Sequence, residues 1–167
     1  AKVFVQLFHA GRELLGRPDG VLQPAFAPSH SPSERFHVIP RELSLGMIHE
    51  IIDGFGQTAR RMADAGADGV EMLASHGYLL SQFMNPNVNR RTDDYGGSLE
   101  NRMRYPLEVF AAMRDEWPGE RPMSVRISAT DWVGTDGVTG SEAVEIARAF
   151  AAAGADIIDV SAGQTST

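Results

Sequence analysis

Four side chains able to donate a proton or a hydrogen bond stand in apolar stretches of this 167-residue chain: Gln6, His76, Tyr78 and Arg126. His76 and Tyr78 belong to the segment EMLASHGYLLSQFMNP, and no Asp, Glu, Lys or Arg occurs from Met72 to Asn89. His and Tyr can donate near neutral pH while tolerating an apolar surround. The pair is therefore a candidate for acid chemistry in a charge-free pocket. The alternative is an uncharged loop that only packs.

Polar residues also end four strand-like runs: Gln6, Glu71, Arg126 and Asp159. Arg126 alternates with Ser124 and Ser128, and a guanidinium inside a sheet or barrel needs a negative or strongly accepting partner. Two interpretations stay open. Arg126 forms an internal ion pair with Glu71 or Asp159, or it binds the electron-rich edge of a ligand. Gln6 by itself is typical of a hydrogen-bonded core amide.

Composition excludes several other functions. The net charge of −7 disfavours nucleic acid or an anionic membrane as a partner, because both attract basic surfaces. The absence of Cys excludes a disulfide or a thiolate metal site in these residues, and His30, His37 and His49 lack metal-ligand spacing. The first residues, AKVFVQLFH, do not form a signal peptide. We expect a soluble, cytoplasmic protein without a metal site.

Helical periodicity and capping residues predict three helices, over residues 45–65, 99–116 and 141–153. Ser44 and Ser98 are placed to cap the first two, and Thr139 with Glu142 has capping-box spacing for the third. Gly66 and Gly154 end the first and third helices. Residues 11–42, rich in Pro, Gly and Ser, are expected to be irregular.

Four strands are predicted over residues 3–8, 68–73, 123–128 and 156–160. The segments ADAGADGVEM and AAAGADIIDV repeat one pattern of helix end, Gly and strand. Strands that alternate with helices pair in parallel, as in a doubly wound sheet or a (β/α)8 barrel. The lack of G-x-G-x-x-G and P-loop spacing favours the barrel. A barrel needs roughly 250 residues and eight strands, so we expect these residues, which start in a strand without Met, to be about half of one.

Three sequence blocks can then be compared together with known families: QLFHAGR (6–12), HGYLLSQFMNPNVNRRTDDYGGSLENRMR (76–104) and SVRIS (124–128). Together they resemble the Old Yellow Enzyme family, and within it the NADH:flavin oxidoreductase and 2,4-dienoyl-CoA reductase branch. The resemblance extends over the whole chain. It implies an α/β fold of the (β/α)8 TIM-barrel type, with residues 1–167 as a partial flavin-binding barrel domain that supplies about strands 3–6.

The resemblance also implies roles for single residues. Gln6 would contact the pyrimidine edge of FMN, and Arg126 would lie beside the flavin N1 and C2 carbonyl, where a cation stabilises the negative charge of the reduced ring. Tyr78 matches the family's proton donor. His76 matches the second member of a pair that hydrogen-bonds the substrate carbonyl.

Position 73 departs from the family pattern. Leu73 stands where the first member of that carbonyl-binding pair is expected, and it cannot polarise a carbonyl. This change favours the dienoyl-CoA-like branch, which relies on the Tyr and on a His just past the sixth strand. Near that place the chain has Gln164, Thr165 and Ser166. An iron–sulfur cluster of that branch would be held by Cys residues outside this sequence.

The expected function of the intact protein is that of an FMN-dependent ene-reductase. It would use NAD(P)H to reduce the activated C=C bond of an unsaturated carbonyl compound or an enoyl or dienoyl thioester. Tyr78 would protonate the α-carbon, and His76 would orient or polarise the carbonyl. Both are expected to project into a pocket without charges, while a neighbouring apolar set packs the loop: Leu79, Leu80, Phe83 and Met84.

Two rival functions remain. One is a non-catalytic half-barrel that associates with itself, as a homo-oligomer, or with a partner chain through open sheet edges. The other is a barrel enzyme without flavin, such as an aldolase or isomerase. That rival is weak because such enzymes usually need a strand-end Lys or a carboxylate–metal set, and Lys2 is the chain's only Lys.

Overall fold

Strands and helices alternate along the chain in the structure, a computed structural model that describes residues 1–14, 20 and 23–163. The elements in chain order are β1 (Phe4–Leu7), β2 (Phe26–Ala27), β3 (Arg41–Glu42), α1 (Leu45–Asp64), β4 (Gly69–Ala74), α2 (Leu79–Met84), α3 (Leu99–Glu116), β5 (Met123–Ser128), α4 (Gly140–Ala152) and β6 (Ile157–Ser161). A short 3-10 turn, Gly134–Asp136, precedes α4. No helix within these described residues is both long and apolar enough to cross a membrane.

A four-stranded sheet in the order β1-β4-β5-β6 forms the centre of the structure. All three strand pairs are parallel. The crossovers between neighbouring strands contain α1, α3 and α4 respectively. The predicted parallel arrangement is therefore confirmed, with strand limits that agree with the sequence patterns to within one residue.

The capping residues explain why the long helices begin where they do. Ser44 accepts a hydrogen bond from the backbone N–H of Met47, and Ser98 accepts one from that of Asn101. Thr139 forms the predicted capping box at the start of α4. These local contacts satisfy N–H groups that have no partner inside a helix. The three helices accordingly start at or within one residue of the predicted positions.

Two features differ from the sequence prediction. Residues 11–42, expected to be irregular, contain β2 and β3, which pair in parallel. The long segment after β4 contains the six-residue helix α2. Neither two-residue strands nor a helix of less than two turns shows a measurable period in the sequence. The two strands depend on tertiary contacts such as those of the buried Arg91 guanidinium, which donates to the carbonyls of Pro28 and Leu43 next to them.

The hydrophobic core lies between the helices and one face of the sheet. Its members on β4 and β5 are apolar and buried: Val70, Met72, Ala74, Met123, Val125 and Ile127. Side chains alternate between the two faces of a strand, so the residues between these positions lie on the opposite face. That opposite face, called the open face below, carries the polar residues of the candidate site.

Candidate functional site

Strand register places the polar residues of the open face in rows. Gln6 on β1 pairs with Glu71 on β4, which pairs with Ser124 on β5. The next row contains Leu73, Arg126 and Asp159, and a third contains Ser128 and Ser161. In-register partners on parallel strands project to the same side of a sheet. The open face therefore brings together two of the predicted site residues, Gln6 and Arg126.

Glu71 connects the first row. The Gln6 side-chain amide donates to Glu71 Oε1 at 2.7 Å, and the Ser124 hydroxyl donates to Glu71 Oε2 at 2.8 Å. Both carboxylate oxygens are thus used by neutral donors, and Arg126 does not pair with Glu71. The carboxylate orients the exposed Gln6 amide at the end of β1.

Arg126 pairs instead with Asp159, its neighbour in the second row. Arg126 Nε lies 3.4 Å from Asp159 Oδ2, and Nη2 donates to Ser161 Oγ at 3.3 Å. Nε is buried, and its geometry toward Asp159 is not that of a hydrogen bond, so no described residue accepts one from it. Of the two sequence alternatives, the ion pair is thus present, yet it leaves N–H groups of a five-donor guanidinium without an acceptor.

His76 follows β4 in a strained backbone conformation, with φ of 60°. Its N–H donates to Ser128 Oγ at 3.2 Å. Its two ring nitrogens lie next to serine hydroxyls, with Ser75 Oγ 3.0 Å from Nδ1 and Ser161 Oγ 2.8 Å from Nε2. Serines at the ends of β4, β5 and β6 therefore hold this residue.

Two charged groups, Arg126 and Asp159, act on His76, which corrects the expectation of a pocket without charges. Burial lowers the pKa of His76, the Arg126 cation lowers it further, and Asp159 opposes both. The segment 72–89 itself contains no charge, but Arg126 and Asp159 come from β5 and β6. Burial and the Arg126 cation therefore both favour the neutral imidazole.

Tyr78 lies at the start of α2, where its ring packs against Phe8 with centroids 5.1 Å apart. The side chain is half-buried. No described residue forms a hydrogen bond with its hydroxyl, which leaves that group available to a ligand. The predicted packing of the following apolar residues is confirmed, since all four are buried: Leu79, Leu80, Phe83 and Met84.

Buried amides that the sequence analysis missed fix the segment that carries His76 and Tyr78. Gln82 donates to the carbonyl of Gly77 at 2.6 Å and accepts from the N–H of Arg12 at 3.3 Å. Asn85 donates to Asp131 Oδ2 at 2.8 Å, which ties α2 to the loop after β5. The available signal was the presence of neutral amides inside an apolar run, because buried amides need partners.

The other positions considered in the sequence analysis add no hydrogen-bonding group to this cluster. Leu73 is buried on the open face beside Arg126, and its apolar side chain has no hydrogen-bond donor. Gln164, Thr165 and Ser166 lie outside the described residues. In the part of the chain that is described, no group of three or more His, Asp or Glu could hold a metal ion.

Fold and site together define a segment of a parallel α/β fold with polar side chains on the open face of its sheet and at its strand ends. A family model described as NADH:flavin oxidoreductase / NADH oxidase family matches residues 1–166. The chain belongs to this family. The predicted partial (β/α)8 barrel and the resemblance to Old Yellow Enzyme are thereby confirmed.

Individual relatives agree with the family assignment. An NADH oxidase from Thermoanaerobacter brockii is 43% identical over 163 residues, covering 98% of this chain and 25% of the relative. A solved 2-naphthoyl-CoA reductase in complex with 2-naphthoyl-CoA superposes with a TM-score of 0.87 at 31% identity, over 97% of this chain and 26% of that one. The old yellow enzyme homologue from Zymomonas mobilis gives 0.81 at 27% identity, over 95% and 47%. The chain thus spans a quarter to about half the length of these proteins.

Proposed function

We propose that the complete protein is an FMN-dependent oxidoreductase that uses NAD(P)H to reduce the activated C=C bond of an unsaturated carbonyl compound or an enoyl or dienoyl thioester. One observation supports this proposal in a chain of a flavin oxidoreductase family. Tyr78, whose hydroxyl has no partner among the described residues, follows β4, and Arg126 lies on the open face of the neighbouring strand β5. An acid and a cation at the ends of adjacent parallel strands suit a hydride acceptor that must also be protonated.

The open face fits the flavin that the family implies. Arg126 Nε is buried without a hydrogen-bond acceptor among the described residues, and the exposed Gln6 amide lies on the same face. Such donors match the electron-rich edge of a flavin ring, and Gln6 and Arg126 would hold it there. When bound, FMN supplies hydride transfer between a nicotinamide and an alkene.

Tyr78 is assigned the role of general acid. Its hydroxyl would give a proton to the α-carbon of the alkene while the substrate lies against Phe8 and the half-buried phenol ring. All residues of α2, which follows Tyr78 directly, are buried, so this helix gives the phenol a fixed support. The Tyr78 phenol can donate its proton without carrying a positive charge, which would attract solvent.

His76 would orient the substrate oxygen at the same strand end. Serine hydroxyls contact both ring nitrogens, so a hydrogen bond from the ring to a substrate would have to replace one of them. Leu73 contributes no second donor. The substrate oxygen would therefore receive fewer hydrogen bonds from this loop than a two-donor pair provides, and the departure from the family pattern at Leu73 supports a thioester substrate.

The experiment uses the complete flavoprotein under anaerobic conditions. Purified protein should be yellow, and its flavin absorbance should bleach on adding NADH or NADPH. Addition of an enoyl-CoA or dienoyl-CoA should restore the colour faster than addition of cyclohexenone. A colourless protein that does not take up FMN, or a reduced flavin that none of these alkenes reoxidises, would contradict the proposal.

A second function applies to residues 1–167 when they are produced alone. Large apolar side chains are exposed on both outer strands of the sheet: Phe4 at 46%, Ile157 at 45% and Val160 at 62%. Exposed apolar residues on open strand edges favour association of chains. Size-exclusion chromatography with light scattering should show dimers or larger assemblies of the 167-residue chain, and a stable monomer would contradict this second function.

A further inference from the structure

The side chain of Gln82 is completely buried in α2, and its amide has a partner for each of its polar groups. Nε2 donates to the carbonyl of Gly77 at 2.6 Å and to that of Ala10 at 3.3 Å, while Oε1 accepts from the backbone N–H of Arg12 at 3.3 Å. Carbonyl groups only accept and backbone N–H groups only donate, so these partners fix which end of the amide is nitrogen. The amide thereby joins the segment after β1 to the segment after β4.

Gln82 also contacts both sides of Tyr78, the proposed acid. Its side chain binds the carbonyl of Gly77, which belongs to the peptide bond before Tyr78. Its backbone N–H donates to the carbonyl of Tyr78 itself at 2.8 Å. One residue therefore holds both peptide groups that flank the α-carbon of Tyr78. Because the phenol side chain starts at that α-carbon, its place at the strand end depends on these two bonds.

The backbone before Tyr78 is in a conformation that needs support. His76 and Gly77 both have positive φ, 60° and 78°, and the left-handed region is unfavourable for a residue with a side chain. Gly77 is buried, and its carbonyl meets the buried amide of Gln82. A buried carbonyl without a partner is costly. Loss of the amide would therefore favour a different orientation of the peptide group between Gly77 and Tyr78.

Gly11 provides the space that the amide occupies. A methyl group on Gly11 would lie 2.5 Å from Nε2 and 2.7 Å from Cδ of Gln82, and still nearer to Oε1. Gly11 also has φ of 63°, a value that favours glycine. The segment after β1 thus packs directly against the amide, with no room for a side chain between them.

From these contacts we infer that Gln82 is a positioning residue for Tyr78, which it ties to the segment that follows Gln6 and β1. The inference rests on the proposed function, in which Gln6 contacts the flavin and Tyr78 gives the proton. Because Gln82 is completely buried, it acts through Tyr78 and not by contact with a substrate. Its bonds set the distance between the phenol and the flavin-binding face, and a reaction between bound groups is sensitive to such distances.

The test replaces Gln82 by Met in the complete flavoprotein, which keeps a side chain of similar length and removes all three hydrogen bonds of the amide. A displacement on the order of 1 Å can reduce a rate by about 100-fold. We therefore expect alkene-driven flavin reoxidation to slow by about 10- to 100-fold in stopped-flow traces, with FMN content and flavin reduction by NAD(P)H nearly unchanged. An unchanged reoxidation rate, or an equal loss in both half-reactions, would overturn the inference.

Gln82→Glu is the conservative variant. Its carboxyl group can accept from Arg12 in either form, but it can donate to the carbonyl of Gly77 only when it is protonated. The reoxidation rate relative to wild type should therefore rise as the pH falls, whereas the same ratio for Gln82→Met should not depend on pH. A ratio for Gln82→Glu that does not rise in acid would contradict the role of the amide donor.

Asn89→Leu is the matched control. Asn89 is also a buried amide with three hydrogen bonds: it donates to the carbonyls of Phe83 and Tyr95, both at 2.7 Å, and accepts from the N–H of Arg91 at 3.2 Å. None of these partners flanks Tyr78. Asn89→Leu should lower stability as Gln82→Met does, without the selective loss of alkene-driven reoxidation. The same selective loss in the control would show that any buried amide of this segment has the effect, and would refute a specific role of Gln82.

The Tyr78→Phe background shows whether Gln82 acts through the acid. Residues that act as one unit have non-additive effects. Adding Gln82→Met to Tyr78→Phe should thus cause little further loss of reoxidation rate. Losses that multiply in the double variant would mean that Gln82 acts by another route.

A fluorine signal separates this inference from the proposed function. The complete flavoprotein is labelled with fluorotyrosine, and the Tyr78→Phe variant identifies the fluorine NMR signal of Tyr78. Gln82→Met should shift or broaden this signal, and Asn89→Leu should leave it in place; an unchanged signal in Gln82→Met would refute the positioning of Tyr78. If wild-type protein reduces no alkene while the signal responds as expected, the proposed function fails and the link between Gln82 and Tyr78 stands.

Discussion

Replacing Gly163 by Ala tests whether the end of β6 positions His76. The substitution adds one methyl group, and this group would lie 2.5 Å from His76 Cδ2, 2.9 Å from Cα and 3.2 Å from N. Two of these three atoms belong to the backbone of a residue already held at φ of 60°. A side-chain rotation of His76 cannot relieve the contact, so the two segments must separate.

The size of the effect follows from these distances. Restoring a normal carbon–carbon contact of about 3.5–4.0 Å requires a displacement on the order of 1 Å. A displacement of that size in a catalytic group can reduce a rate by about 100-fold. Overpacking a close contact costs about 1–3 kcal/mol of folding free energy. We therefore expect kcat/KM for alkene reduction to fall by about 10- to 100-fold, with a smaller effect on reduction of the flavin by NAD(P)H.

The assay compares Gly163→Ala with Gly119→Ala in the complete flavoprotein. A methyl group on Gly119 meets no atom within 4 Å, so this control makes the same chemical change without the contact. Stopped-flow measurements give the two half-reactions separately, and flavin absorbance gives the cofactor content. If Gly163→Ala reduces alkenes as fast as Gly119→Ala, the close packing of the segment after β6 on His76 does not affect alkene reduction.

Further predictions concern the acid, the cation and one ion pair of the complete protein. Tyr78→Phe should slow alkene-driven flavin reoxidation by about 10²- to 10⁴-fold and leave reduction by NAD(P)H unchanged in stopped-flow traces, and an unaltered reoxidation rate would exclude Tyr78 as the acid. Arg126→Gln should lower the FMN retained after gel filtration, measured by absorbance, whereas retention equal to wild type would separate Arg126 from the flavin. Glu142 is half-buried, and its partial burial raises its pKa, but hydrogen bonds from Arg102 and Thr139 outweigh this effect and hold the pKa below its usual value. The carboxylate therefore stabilises the fold above the ordinary Glu pKa of about 4.3, and this contribution is lost as the pH falls through the lowered pKa. Glu142→Gln should accordingly be less stable than wild type in urea at neutral pH, and the difference should shrink in acid; a difference independent of pH would contradict the assignment.

The secondary structure that could be predicted depends on interactions between residues close in sequence. The limits of α3 and β5, residues 99–116 and 123–128, agree with the prediction at both ends. Capping side chains and alternating β-branched residues act within a few residues, so their pattern is visible without tertiary structure. The short elements α2, β2 and β3 have too few local interactions to form alone, and distant partners stabilise them.

The site illustrates the same division. Residue types identified Gln6, His76, Tyr78 and Arg126 as candidates, and their roles remain proposals. The sequence left Glu71 and Asp159 as equal partners for Arg126, because strand register decides which carboxylate is adjacent. Register also brought Arg126 and Asp159 next to His76, which made the expectation of a charge-free pocket wrong.

The amino-acid sequence alone determined the parallel α/β architecture, the family and the chemical types of the site residues. Each of these depends on local periodicity or on the identity of single side chains. Only the tertiary structure decided which groups are partners: Gln6 is hydrogen-bonded to Glu71, Arg126 is ion-paired with Asp159 and hydrogen-bonded to Ser161, and His76 contacts three serines. Apart from the contact between His76 and the adjacent Ser75, they join segments separated by dozens of residues, and the register of the folded sheet sets their distances.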